Sequence, residues 1–370
     1  MTQQARYETM LSYVEHPVDI RSGSGYPTVY QQASDIGGTF TRIKYGLPDQ
    51  AVANFSPCLI SHKGHRLITW RNQPEAFTFR HDSKYFYYNN TPTEVYVGEL
   101  IGDETIIGAK KIRERPHRLS YEDPRLFVAP DDNLYLQFIT SSYASKYDSS
   151  KHKMVNQPKV CVGRVDDFGK VVDCVYPPVG DNLTEDKPEK NWCFFSEDQN
   201  LRLLYSTIPL TIKTPGQPDK TIDSSSLKKV TGEYPTFNST SPIKIGNEWL
   251  VFFHWKYMAF DSKHQITYLL YHLGAYTLDE NFTKITRQCT EALFSGSTND
   301  RLTWWTDVTG RPISKQPACV LPFGGIYNEE DDEIELALGV NDSFMGIFKC
   351  PLVNILALLE PTEVGTNEIS

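Results

Sequence analysis

The chain has 370 residues, 39% hydrophobic and 12% aromatic, with a formal net charge of −9, enough apolar material for one large core or two ordinary ones. An acidic balance argues against a nucleic-acid surface, which needs clustered Lys and Arg to displace counterions, and the one basic stretch, Lys110-Lys111-Ile112-Arg113-Glu114-Arg115, is short and interrupted by Glu. No apolar run approaches a membrane span and Met1-Thr2-Gln3-Gln4 opens no signal-peptide core, so no membrane partner and a cytoplasmic location are expected.

Helical periodicity is confined to the first dozen residues and to a short stretch at 352–359. Elsewhere, short apolar runs are bounded by Gly, Pro, Asn and Asp, which marks strands and turns. Residues 1–50 are expected to be an N-terminal extension, 51–350 the main domain and 351–370 a tail. Within 51–350 one hairpin pattern recurs. Its first copy is Ser56-Pro57-Cys58-Leu59-Ile60, a turn at His62-Lys63-Gly64-His65, then Leu67-Ile68-Thr69-Trp70-Arg71. The second runs from Asp123-Pro124-Arg125-Leu126-Phe127 through Pro130-Asp131-Asp132-Asn133 to Leu134-Tyr135-Leu136-Gln137-Phe138. The third runs from Asn191-Trp192-Cys193-Phe194-Phe195 to Leu201-Arg202-Leu203-Leu204-Tyr205, and the fourth from Ser241-Pro242-Ile243-Lys244-Ile245 to Trp249-Leu250-Val251-Phe252-Phe253-His254. A weaker fifth begins at Ala318-Cys319-Val320-Leu321-Pro322 and returns as Glu333-Ile334-Glu335-Leu336-Ala337-Leu338-Gly339.

Copies spaced roughly 50 to 80 residues apart suit four-stranded blades with loop insertions. The sequence therefore predicts an all-β, five-bladed β-propeller with a central pocket, the N-terminal extension packing on it. A β-sandwich also explains short strands, but not five matched hairpins with polar residues at matched ends. In a propeller those ends converge on one channel.

The candidate chemistry sits at these ends. Tyr121-Glu122-Asp123-Pro124-Arg125 opens the second copy. Pro124 is expected to hold Asp123 extended, and strand alternation then puts Asp123 and Arg125 on one face and Glu122 on the other. Such a pair supplies an acid and an anion holder, or equally a brace between blades. Glu189-Lys190-Asn191-Trp192 opens the third copy with a cation, an amide and a ring. Lys190 is either a surface turn residue or a buried cation needing an anion, which is then substrate or Asp123. His254 ends an inner strand, where a satisfied core histidine is the common case. Asp342 in Asn341-Asp342-Ser343 is either a site carboxylate or part of an Asx-turn, and Arg71 closes the first copy in the same way. No metal-ligand spacing, phosphate-cradling glycine loop or Ser-His-Asp signature competes. Seven widely spaced cysteines without a CxxC pair fit reduced thiols rather than disulfides or zinc. Carboxylates and several cations in one channel suit glycosidic chemistry with an anionic leaving group or nucleophile.

Glu122-Asp123-Pro124-Arg125, followed in order by Lys190-Asn191, Ser241-Pro242, His254 and Gly339-Val340-Asn341-Asp342, resembles glycoside hydrolase family 130 and its relatives in glycosyltransferase family 108. The resemblance spans residues from about 54 to 350, and the Glu-Asp-Pro-Arg tetrad is its most specific part. It implies a five-bladed propeller acting with inversion on β-mannosides or similar sugars. The partners it implies are a carbohydrate and inorganic phosphate or a sugar phosphate; it implies no metal and no organic cofactor. By this resemblance Asp123 gives the proton to the glycosidic oxygen, and Arg125, Lys190 and His254 hold phosphate. Glu122, Arg71, Asn191 and Asp342 bind the sugar. Trp255 follows the histidine where phosphorylases of the family commonly have Gly, and Trp192-Cys193-Phe194-Phe195 replaces a Leu-Phe-Pro run, which marks a divergent branch. A hydrolase is the alternative within enzymes, with Glu122, Glu233 or Asp342 activating water. A non-catalytic glycan- or protein-binding propeller is the alternative outside them; the fixed cations Arg125 and Lys190 count against it, because a neutral glycan needs none. Donor, acceptor, linkage and oligomeric state are open at this level.

Overall fold

The computed structural model describes residues 18–19, 27–48, 53–73, 78–82, 85–88, 93–112, 119–142, 147–148, 153–154, 159–165, 171–175, 191–261, 266–297, 300, 306–307 and 315–362. The helix expected in the first dozen residues lies outside them.

Each of the five recurring patterns forms an antiparallel hairpin. Ala53–His62 pairs with His65–Gln73, Leu119–Val128 with Leu134–Ser142, and Cys193–Glu197 with Asn200–Thr207. Ile243–Ile245 pairs with Glu248–Asp261, and Val320–Asn328 with Glu333–Val340. Their turns place Lys63, Asp132, Asp198, Gln199 and Asp332 at positive φ, a conformation that short polar residues such as Asp adopt at least cost. Two further strands extend each hairpin outward. Glu94–Ile101 and Thr105–Lys111 complete the first blade, Lys159–Val165 and Val171–Val175 the second, and Leu210–Lys213 and Lys220–Ile222 the third. Ile266–Asp279 and Ile285–Cys289 extend the fourth.

The fifth blade draws on both ends of the chain. Its third strand is Phe344–Pro351, and its outermost strand is Thr39–Arg42, from the segment expected as an extension. The innermost strands touch in cyclic order, first to second, second to third, and fifth back to first. Strand Thr236–Asn238 of the fourth blade meets the third blade, and Ile243–Ile245 meets the fifth. The five sheets therefore close into a propeller.

Blades bury their faces against one another, so the core is distributed around the ring. Leu59, Trp70, Ala337 and Ile347 pack between the first and fifth blades; Phe127, Val162, Phe194 and Leu203 pack between the second and third. The first–fifth seam also carries an ion cluster. Arg66 pairs with Asp103 and with Glu335, whose carboxylate is buried, and Lys349 reaches both acids at 3.0 and 3.6 Å. The tail forms a short helix, Leu352–Ala357, and a strand, Leu359–Pro361, on the fourth blade.

A helix the sequence reading did not anticipate, Val29–Asp35, is only two turns long, too short to show a helical period. Thr28 and Gln31 form its capping box, and the Val29 amide donates to the Asp300 carboxylate at 2.9 Å.

Candidate functional site

The chemistry is positioned where the innermost strands leave regular pairing. The ladder of the first hairpin skips between Phe55 and Cys58, and that of the second between Glu122 and Arg125. Ser56 and Asp123 fill the extra positions at φ 50° and 49°. Each is a bulge of the kind that re-aims side chains. Asn191, Asn341 and Asp342 also have positive φ, at 62°, 51° and 49°.

Two expectations about Asp123 are corrected here. Pro124 does not leave Asp123 extended: the residue is left-handed, because pairing on both sides of the bulge outweighs the local preference before proline. The bulge also breaks the alternation that was to put Asp123 and Arg125 on one face. Glu122 and Asp123 both line a central cavity, and Arg125 passes behind its wall. Arg125 is buried, with its guanidinium 4.6 Å above the Phe323 ring; it donates to the carbonyls of Phe323 at 3.1 Å, Asn238 at 3.5 Å and Ser239. It ties the second blade to the fourth and fifth.

The cavity holds about 190 Å³, small beside the roughly 300–1,000 Å³ of ligand pockets in general. Arg71, Glu122, Asp123, Asn191, His254 and Asp342 all line it, so one residue or more from every blade's inner hairpin reaches the hub. Lys190 lies outside the described residues. Glu233 does not line the cavity; it is exposed and paired with Lys228 at 2.8 Å.

Arg71 Nη1 lies 3.6 Å from Asp123 Oδ1, and the same guanidinium sits 4.7 Å above the Phe55 ring. Burial pushes the Asp342 carboxyl up to about 6; Arg71 opposes the rise, while Asp123 and Glu122 add to it by repulsion. The three carboxyl groups thus act in one electrostatic field. His254 is buried, its Nδ1 2.7 Å from Ser239 Oγ. Burial, then the cations Lys256 and Arg125, hold its pKa well below the usual histidine value. It is a neutral imidazole, so it offers a hydrogen bond rather than a positive charge.

Two lining residues were not singled out from the sequence. The Lys256 ammonium lies 5.1 Å from the Phe237 ring centre and 5.3 Å from that of Tyr271, a favourable setting for a cation. Tyr271 pairs directly opposite Lys256 across the fourth blade. Burial first, then Cys319, Asp342, Asp123 and Glu122, drive its phenol well above the ordinary value, leaving a neutral O–H donor. The available signal was period-two alternation: if His254 faces the hub, Lys256 faces it too. Ser56, Cys319, Phe323 and Gly339 complete much of the lining. The arrangement holds proton-carrying groups of separated strength beside fixed positive charge, which suits acid–base chemistry on a substrate with an anionic part.

No family model matches the sequence, and no curated protein matches it. Solved structures do. A β-1,2-mannobiose phosphorylase from Listeria innocua, in complex with β-1,2-mannobiose, aligns with a TM-score of 0.53 at 13% identity, covering 90% of this chain and 99% of that one. The chain has the fold of the β-mannoside phosphorylases. A mannose phosphorylase from Leishmania mexicana, in complex with a phosphate ion, aligns at 0.51 and 12% identity over 90% of this chain and 95% of its own. A GDP-Man-dependent mannosyltransferase from the same organism aligns at 0.52 and 14% identity over 84% and 88%. Identity at this level carries the five-bladed architecture and leaves the reaction to the site.

Proposed function

We propose that this propeller is an inverting glycoside phosphorylase or glycosyltransferase that moves a β-mannoside-like sugar to or from phosphate or a sugar phosphate. The observation that carries the reading is the meeting of Glu122, Asp123 and Asp342 with the cations Arg71 and Lys256 around one small cavity at the hub. Neighbours of the same fold were solved with mannobiose and with phosphate, which supports ligands of these two kinds.

Asp123 gives a proton to the glycosidic oxygen as the bond from that oxygen to the anomeric carbon breaks. A phosphate oxygen forms the new bond on the opposite face of the ring, and the proton released by phosphate restores the acid. Arg71 lies against the Asp123 carboxyl group, so that the acid approaches the oxygen from a fixed direction. Lys256 supplies positive charge to the phosphate, and neutral His254 and Tyr271 add hydrogen bonds. Asp342 and Glu122 bind sugar hydroxyls. Hydrolysis is the second reading, and one observation favours it: Glu122 and Asp342 both lie in the cavity with Asp123, giving a carboxylate to activate water.

The test incubates the protein with mannose 1-phosphate or GDP-mannose and a panel of sugar acceptors, and separately with β-1,2-mannobiose in the presence and absence of phosphate. Phosphate release from mannose 1-phosphate is the expected result. Cleavage of mannobiose that is indifferent to phosphate selects hydrolysis. Asp123→Asn is expected to lower turnover by about 10²–10⁴-fold while sugar binding persists. An absence of turnover on every donor, with binding retained, would establish the non-catalytic alternative.

A further inference from the structure

A second cavity of about 220 Å³ adjoins the first, and Asn191 lines both. It lies between the third and fourth blades, where Tyr205, Ser206 and Ile208 face Thr236 and Phe237. Phe237 lines the second cavity and packs against two residues that line the first. Its ring stacks on His254 at 5.4 Å and lies 5.1 Å from the Lys256 ammonium, and both of those residues line the first cavity. Anything seated in the second cavity is therefore next to the reacting groups.

The two cavities differ in chemistry. Five charged side chains line the first, whereas none lines the second among the described residues. The side chains of Thr207, Asn238, Ser206 and Thr236 in the second are engaged with the protein itself. Thr207 Oγ1 donates to Asn238 Oδ1 at 2.7 Å, and Asn238 Nδ2 donates to the carbonyls of Leu204 and Asn191 at 3.1 and 3.3 Å. Ser206 Oγ donates to the Pro209 carbonyl at 2.6 Å and Thr236 Oγ1 to that of Tyr234 at 3.0 Å. Beside the Asn191 amide, a ligand meets ring and aliphatic surface from Tyr205, Ile208 and Phe237. A phosphate or nucleotide diphosphate finds no charged side chain among the described residues that line it. The C–H face of an uncharged pyranose finds a matching surface, since apolar and aromatic walls with few polar groups are what such a ring buries against.

We propose that this groove seats the neutral acceptor sugar, which is the leaving group in the reverse direction, and that Tyr205, Ile208 and Phe237 set which acceptor fits. The inference rests on the reading of the first cavity as the site of glycosyl transfer. It divides the substrate by charge: the phosphate-bearing donor goes to the cavity with Lys256 and Arg71, the uncharged partner to the groove beyond Asn191.

Steady-state phosphate release is measured with mannose 1-phosphate as donor and mannose, glucose or N-acetylglucosamine as acceptor, for the unaltered protein, Thr236→Trp and Ser206→Tyr. Each substitution fills the groove from one side without touching the first cavity. The acceptor KM is expected to rise at least about tenfold, or about 1.4 kcal/mol, with the KM for mannose 1-phosphate changed less than about twofold. The two variants enter from opposite walls, so a folding defect in one leaves the other to decide. An acceptor KM unchanged in a variant that still turns over donor overturns the groove assignment and leaves the transfer reading intact. Failure of the unaltered protein to release phosphate with any acceptor overturns the transfer reading and this assignment with it.

Discussion

Asp342→Asn separates what the site costs the fold from what it does. In the folded protein the Asp342 carboxyl is raised from 3.8 to about 6, chiefly by burial, with Asp123 and Glu122 repelling it and Arg71 opposing them. A shift of about two units, at about 1.4 kcal/mol each, is about 3 kcal/mol. Between pH 3.8 and 6 the folded state holds this proton more tightly than the unfolded chain does. Stability from this group is therefore greatest below pH 3.8, falls as pH rises through the window, and levels off above 6. For one site with these two values, about 2 of the 3 kcal/mol is lost between pH 4.5 and 7.5. Asn keeps the shape and removes the titration. Urea unfolding at pH 4.5, 6 and 7.5 is expected to show the variant more stable than the unaltered protein at pH 7.5, with the advantage shrinking by about 2 kcal/mol at pH 4.5. Activity is expected to fall in the same variant, the trade-off typical of a residue kept for function. Parallel stability curves for the two proteins across this range would refute the reasoning, because they would mean Asp342 ionises in the fold as readily as in the unfolded chain.

Lys256→Met keeps an aliphatic chain against Phe237 and Tyr271 while removing the charge. The KM for phosphate is expected to rise about 10- to 100-fold, the size of a lost charged hydrogen bond, with the sugar KM little changed in steady-state kinetics. Arg66→Ala removes one of the two cations on the buried Glu335 carboxylate at the first–fifth seam. It is expected to cost about 2 kcal/mol in urea unfolding, with part of the loss recovered by adding Glu335→Gln. Gly339→Ala puts a methyl group 2.9 Å from the Ser56 amide nitrogen and 3.0 Å from Pro57 Cδ. Because backbone has to move, the expected cost is about 1–3 kcal/mol, with reduced turnover, since Ser56 and Gly339 both line the cavity.

The five hairpins were legible because their signals are local. Period-two apolar runs and turn residues at fixed offsets depend on neighbours a few positions away. The placement of Arg71, Glu122, Asp123, Asn191, His254 and Asp342 at one cavity followed from a geometric property of propellers, the convergence of inner-strand ends. Arg125 shows where this reasoning stopped. Alternation assigns a face only while the register holds, and the bulge at Asp123 breaks it. Lys256 was within reach of alternation from His254, but Tyr271 meets it only by cross-strand pairing within the fourth blade, which nothing in its own local stretch marks. The last strand of the ring was likewise invisible, since Thr39–Arg42 pairs with residues more than 300 positions away.

The sequence by itself determined the five inner hairpins, the number of blades and the residue types brought to the hub, because turn and strand preferences are short-range. Tertiary structure alone decided which of those residues face the cavity and in what charge state. His254 is neutral, Asp342 retains its proton up to about pH 6, and Lys256 stands between two rings. Desolvation and the summed field of groups on five separate blades set these states, and neither exists until the ring has closed.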